Sequence, residues 1–368
     1  MTYLAFRNLW QQKFRLALSI TGVALAMTLI ILLNGFLAGV YVQVTAYLDN
    51  TPADLIIAQE GVTNLLGATS LLPAGVADQA RGVPGVAQVM PIISQFTIFD
   101  LHDEKVVAYM VGYEPEAGGG PWRLKEGRPP QDDDEVVLDW VMAGQHDIQI
   151  GDTIDILDEE FTVVGLSDGT NSWMASFFFV NKRAAEKLLL TPGASSFVLL
   201  RLAPDADVTA VTDRLNRRLR NVEILPAAEM RQNDLNLLVQ VFAAPLQMMV
   251  TIAFAVGTAI LGMVIYTATV ERAREYGVLK AVGAKNKHLY WLVTQQGLVT
   301  AVFGVILGTG LAWLAGQAIM NNSPKFLIVI QPRTIITVSL SGLLMGLLAA
   351  LLPARHVAHL DPARVFRK

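Results

Sequence analysis

The chain has 368 residues, 53% of them hydrophobic and 16% charged, with a formal net charge of −4 and no cysteine. Its mean hydropathy is +0.43, whereas soluble chains carry about 25% charged residues, so the composition is that of a membrane protein. Disulfides, thiolate metal sites and cysteine nucleophiles are excluded.

Residues 1–15 set Leu4, Phe6, Leu9, Trp10 and Phe14 among Arg7, Lys13 and Arg15. This pattern suits a short interfacial helix on the cytoplasmic leaflet, and a plain extension of the next helix fits the same residues. Residues 16–48 hold no charge. They are too long for a signal peptide and would form a helix of about 50 Å, against a hydrocarbon core of about 30 Å. The first transmembrane helix is therefore predicted to span and continue outward as a stalk.

A polar block follows, residues 49–240. Positions 41–240 hold 14 Lys+Arg and 29 Asp+Glu, a net of −15, and the rest of the chain holds 14 and 3, a net of +11. The block reads as mixed α/β. Strand-like composition occurs at 53–59, 86–100, 105–114 and within 135–166, with His102–Glu104 as a hairpin tip. Helical patterns occur at 75–81, 182–190 and 208–219. A strand at 196–202, the helix at 208–219 and a strand at 222–225 make a βαβ-sized unit. The expectation is a small βαβ subdomain drawn from both ends of the block, with a β-rich subdomain inserted between. Little chemistry is visible in it. The acids of QDDDE (131–135) lack cation-loop spacing and read as a solvated loop. His102 and His146 have no partner at metal spacing and read as surface residues. GVLKAVGAK (277–285) is not a phosphate-binding loop.

Three further uncharged runs, 245–270, 289–320 and 334–353, are each long enough to span. The fold class predicted is an α-helical membrane protein with four transmembrane helices and a mixed α/β extracytoplasmic domain inserted between helices 1 and 2. Bases cluster beside the segment before the first run, in the 271–288 loop and in the tail, 354–368. By the positive-inside rule both termini and that loop are cytoplasmic. Small-xxx-small pairs (Gly35/Gly39, Ala255/Ala259, Gly304/Gly308, Gly342/Gly346) are candidates for close helix approach at a dimer interface. The 271–288 loop places Ala273, Gly277, Lys280 and Ala281 on one helical face. Spacing alone leaves open a docking helix or a plain connector.

The stretch ERAREYGVLKAVGA (271–284) resembles the signature of ABC-transporter permeases of the macrolide-exporter and cell-division (MacB/FtsX-like) family. FRNLWQQKFRLALSITGVALA (6–26) resembles that family's N-terminus, and PARHVAHLDPARVFR (353–367) its C-terminal tail. Within the family, the short length and the start of the second span most resemble the haemin-exporter and heterocyst glycolipid-exporter permeases. The resemblance implies a bacterial inner-membrane homodimer bound to two copies of a separate ABC ATPase, which would hold the ATP and magnesium. No cofactor, metal or nucleic acid is expected on this chain, membrane lipid surrounds it, and a periplasmic adaptor is a further candidate partner. The coupling helix would use Glu271, Arg272, Arg274, Glu275, Gly277, Lys280 and Gly283. A lipophilic cargo such as haem, lipid or a drug is the expected substrate, because the spans carry no charge for an ion relay. Candidate contacts are Met27, Asn34, Phe36, Tyr41, Leu246, Met249 and Phe254. Alternatives are a non-transporting machine that regulates a cell-wall hydrolase and a lipoprotein-extracting permease. The family's acid near the start of the third span is replaced by Gln295 and Gln296.

Overall fold

In the computed structural model the described residues are 13–101, 104–172 and 174–359. The interfacial segment 1–12, the hairpin tip at 102–103 and the tail beyond 359 lie outside them. Contacts divide the chain into two units, one of residues 1–39, 242–323 and 328–368 and one of residues 40–241 and 324–327.

The first unit is a helical bundle. Helix α1 runs from Lys13 to Asn50, about 57 Å at 1.5 Å per residue, so the predicted stalk is continuous helix. Four helices are long and apolar enough to cross a membrane. The second of these, α7 (Ala244–Glu271), is followed by α8 (Ala273–Ala281), α9 (Asn286–Asn322) and α10 (Pro332–Ala358). Helix α10 continues through Pro353, five residues past the expected end of the last span.

The bundle closes where side chains are absent. A methyl on Gly297 would lie 2.6 Å from the Gly346 carbonyl oxygen, and one on Gly346 would lie 2.8 Å from that of Gly297. Gly304 and Gly308 face Val23 and Ala24 of α1 at similar range, and Gly342 faces Val305. These small residues are thus spent inside one chain. Of the pairs considered for a dimer, only Ala255/Ala259 is exposed.

The second unit is built on one ten-stranded sheet in the order β10-β1-β9-β2-β3-β8-β5-β7-β4, with β6 on β7. In chain order the strands are β1 Leu55–Gln59, β2 Val86–Leu101, β3 Glu104–Tyr113, β4 Leu124–Gly127, β5 Glu135–Asp139, β6 Thr153–Ile156, β7 Glu159–Ser167, β8 Ser176–Asn181, β9 Phe197–Leu202 and β10 Val222–Pro226. Helices α2 (Val76–Arg81), α3 (Trp140–Gln145), α4 (Lys182–Leu188) and α5 (Val208–Arg218) join them, and α6 (Ala227–Leu238) follows. The expected two subdomains share this single sheet, because β2 pairs with β9 on one side and with β3 over ten residue pairs on the other. The chain ends do supply β10-β1-β9, and β3 to β8 are the insertion.

The C-terminal end of α1 is sealed into the sheet core by Tyr47. Its ring is fully buried, stacks on Phe177 at 6.0 Å, and its hydroxyl donates to the Gly119 carbonyl at 2.7 Å. Polar clusters in this unit are structural. Glu135 accepts from Arg128 and from the amides of Gln131 and Asp132, so QDDDE is a capped turn. His102 lies outside the described residues. The His146 side chain is only 8% exposed and lies 3.7 Å from Glu104, so it is not a surface residue. Among the described residues no group of His, Asp and Glu could hold a metal ion.

Candidate functional site: the helix between the second and third apolar helices

The loop between the second and third apolar helices folds as the short helix α8. Its C-terminus is a Schellman turn: the Gly283 amide donates to Lys280 O at 3.1 Å and the Ala284 amide to Leu279 O at 3.0 Å. Gly283 sits at φ 99°, a left-handed conformation natural only to glycine.

Two side chains bind this helix to the bundle. Tyr276 is 2% exposed, and burial raises its phenol pKa above the ordinary tyrosine value while a hydrogen bond to the Gln296 side chain on α9 opposes the shift. Lys280 Nζ donates to the Ala358 carbonyl at the end of α10, at 2.7 Å. Gln296, at the place of the family's acid, is therefore a structural tie. Tyr276 escaped the sequence reading because it is an aromatic residue in a charged stretch and breaks no pattern.

The exposed face differs from the one that spacing suggested. Gly277 is buried and Lys280 is partly covered by its bond to α10. Glu271, Arg274, Glu275 and Val278 face outward, Arg272 is half-buried, and Val282 just past the helix is 84% exposed.

The cargo candidates scatter. Met27 is fully buried in the bundle core together with partly covered Phe254, so Met27 is a packing group. Asn34 Nδ2 donates to Ile30 O at 2.8 Å, within its own helix, and meets neither cargo nor another helix through that bond. Leu246 is half-buried, as are Phe36 and Tyr41, and Met249 is exposed. Helix α7 buries one narrow seam, Ala253, Gly257, Leu261, Ile265 and Thr269, and exposes most of the rest.

A cleft of about 790 Å³ opens between α7 and α10, lined by Thr258 to Tyr266 on one side and Leu348 to His359 on the other. His356 lies edge-on to Tyr266 at 5.4 Å. The His359 Nδ1 donates to the Arg355 carbonyl at 2.8 Å. The sequence marked Ala259 only as half of a small-residue pair and Arg355, His356 and His359 only as part of the tail motif, and gave no sign of a cleft.

The family model described as MacB-like periplasmic core domain matches residues 16–218, over half of the chain, and that described as FtsX-like permease C-terminal matches residues 247–362. The chain belongs to the MacB/FtsX-like family of ABC-transporter permeases. An uncharacterised ABC transporter permease of Mycobacterium tuberculosis is 25% identical over 100% of this chain and 99% of its own length. A permease of Staphylococcus haemolyticus named for a hemin transport system, HrtB, is 21% identical over 98% of this chain and 97% of its own. Among solved structures, the periplasmic region of MacB from Actinobacillus actinomycetemcomitans aligns at a TM-score of 0.41 and 14% identity, covering 50% of this chain and 94% of that one. The expected architecture of four apolar helices and an inserted α/β domain is the observed one.

Proposed function

We propose that this permease is the membrane subunit of an ABC exporter whose ATP is hydrolysed by a separate chain. Two copies of the permease would bind two ATPase subunits, and the cargo would be a lipophilic molecule taken from the bilayer of the bacterial inner membrane. Both termini and the 271–288 loop would be cytoplasmic and residues 49–240 outside.

The observation that carries this reading is α8. An ordinary connector needs no buried tyrosine and no lysine bonded to a distant carbonyl. This helix is fastened to α9 and α10 by Tyr276 and Lys280, yet leaves Val278 and Val282 uncovered beside Arg274 and Glu275. A rigidly mounted helix with an exposed mixed apolar and charged edge suits a partner that pushes on it. The broad exposed face of α7, with Met248, Ile252 and Val256, suits cover by lipid or by a second copy.

The test is the double variant Val278→Asp/Val282→Asp in the complex reconstituted with its ATPase. Both positions are exposed, so the chain should fold and insert normally, within about 0.5 kcal/mol per site. Burying one valine at an interface contributes about 1.5–3 kcal/mol, so ATPase retention should fall at least tenfold and stimulation with it. Unchanged co-purification and unchanged ATPase activity would mean that α8 is only a connector.

A further inference from the structure

The cleft between α7 and α10 has no part in the reading above. Its floor is made of small residues, Ala259, Gly262 and Ala349, and a methyl on Gly262 would reach the Ala349 carbonyl oxygen at 3.4 Å. Its walls are long and apolar, with Met263 74% and Leu352 73% exposed. One end changes character. There Arg355 and two histidines line the cleft, and among the described residues no acidic one does. No ion pair among the described residues engages Arg355.

A narrow apolar slot with a small-residue floor and a cation at one end has the chemistry of an acyl chain and its anionic headgroup. Basic pockets between membrane helices on the cytoplasmic side bind anionic lipids for this reason: the headgroup meets the cation while the chain stays in hydrocarbon. A soluble nucleotide could stack its base on Tyr266 but would leave its ribose against apolar walls. A peptide would leave its amides unpaired against them.

We propose that this cleft binds an anionic phospholipid of the cytoplasmic leaflet, with its phosphate at Arg355 and one acyl chain along the Gly262 and Ala349 floor. The assignment rests on the reading that α7 and α10 cross the membrane with these ends inside. It also has a consequence for coupling. Ala358, whose carbonyl accepts from Lys280 of α8, lies one turn beyond Arg355, so an occupied cleft steadies the point to which α8 is fastened. Anionic lipid is then a regulator of the ATPase that α8 serves.

The experiment uses the full chain in detergent, without ATPase, and measures retained lipid by native mass spectrometry on titration with phosphatidylglycerol or phosphatidylcholine. Phosphatidylglycerol should bind in preference, and Arg355→Gln should weaken it about fivefold, the loss expected for one basic contact near a membrane surface. Arg333→Gln, an exposed arginine at the opposite end of α10, should leave binding unchanged. Inorganic phosphate at tens of millimolar should not displace the lipid; displacement would assign the site to a soluble phosphate and overturn the proposal. Equal retention of the two lipids, or no effect of Arg355→Gln, would overturn it as well. Hemin added to the same chain provides a further arm. A His359-dependent Soret shift, with phosphatidylglycerol retention indifferent to Arg355, would give the cleft to a porphyrin and refute the lipid. Because no ATPase is present, loss of lipid binding and loss of coupling are read separately.

Discussion

Gly346→Ala tests a backbone-to-backbone crossing of α9 and α10. The added methyl would stand 2.8 Å from the Gly297 carbonyl oxygen and 2.9 Å from Ala301 Cβ, whereas carbon contacts relax at about 3.5–4.0 Å. Helices α9 and α10 must part by roughly 1 Å or bend. Overpacking of this kind costs about 1–3 kcal/mol. Gly310→Ala on α9 is the matched control, since a methyl there meets nothing within 4 Å. That change should be neutral or stabilising by up to about 1 kcal/mol. The two variants are thus expected to differ by about 1–4 kcal/mol, or several degrees in the melting temperature of the full chain in detergent. Gly297→Ala should resemble Gly346→Ala, and the double variant should cost less than the sum, because the first methyl already opens the gap that the second needs. If Gly346→Ala melts with Gly310→Ala, the backbone contact is not what holds these helices together, and the account of the glycines fails.

The cysteine-free sequence gives a direct test of topology: single cysteines at the exposed positions Asp133 and Asn322 should react with an impermeant maleimide in intact cells, and one at Asn286 only after permeabilisation, while Ser70, 1% exposed, is a poor probe. Labelling of position 286 from outside would reverse the orientation. The α/β domain should also respond to pH in a set direction. Burial raises Asp139 and Asp234 from 3.8 to about 6, so in both the fold favours the protonated acid, and stability should fall as pH rises from about 4 to about 6. Glu135, held at about 2 by Arg128, works the other way, and its contribution is lost as pH falls from about 4.5 towards 2. Urea unfolding followed by tryptophan fluorescence should therefore peak near pH 4–5, and Asp139→Asn/Asp234→Asn should flatten the upper limb. A midpoint that rises between pH 4 and 6 would contradict both burial arguments.

What could be read from the sequence depended on whether an element's environment leaves a periodic mark. The spans were legible because a bilayer demands length and forbids charge. Strands β2 and β3 were legible because composition and a polar tip announce a hairpin. Strand β8 was missed. It runs parallel to β3 and antiparallel to β5, is buried on both faces, and so shows SFFFV with no alternation. Strand β4, LKEG, failed for the opposite reason, being mostly exposed. Helix α6 begins after Pro226 with no capping side chain and weak amphipathicity, so it carries no start signal. At the site, the resemblance pointed to the 271–284 loop, and of the face that spacing grouped there Gly277 is buried and Lys280 partly covered while Ala281 is exposed. Apolar spacing marks what is buried, and on α8 the buried side is Tyr276 and Gly277, whereas the outward side is Glu271, Arg274 and Glu275 followed by Val278 and Val282. The glycine pairs misled similarly, since small-xxx-small spacing reports close approach without saying whether the neighbour belongs to the same chain.

Helix α1 and the run of α6 and α7 matter for how a push at α8 is felt far away. Helix α1 is unbroken from Lys13 to Asn50, and the second run is helical from Ala227 to Glu271. A continuous helix carries displacement along its axis because every backbone hydrogen bond must stretch together to absorb it. The second run has one interruption, the π-turn Val239–Ala243, where the hydrogen-bond ladder is offset and bending is least costly. Helix α1 has no such turn, and Tyr47 holds its C-terminal end in the sheet core. Under the push proposed at α8, α1 is therefore the stiff member and the α6–α7 run the compliant one, with its easiest bend at residues 239–243.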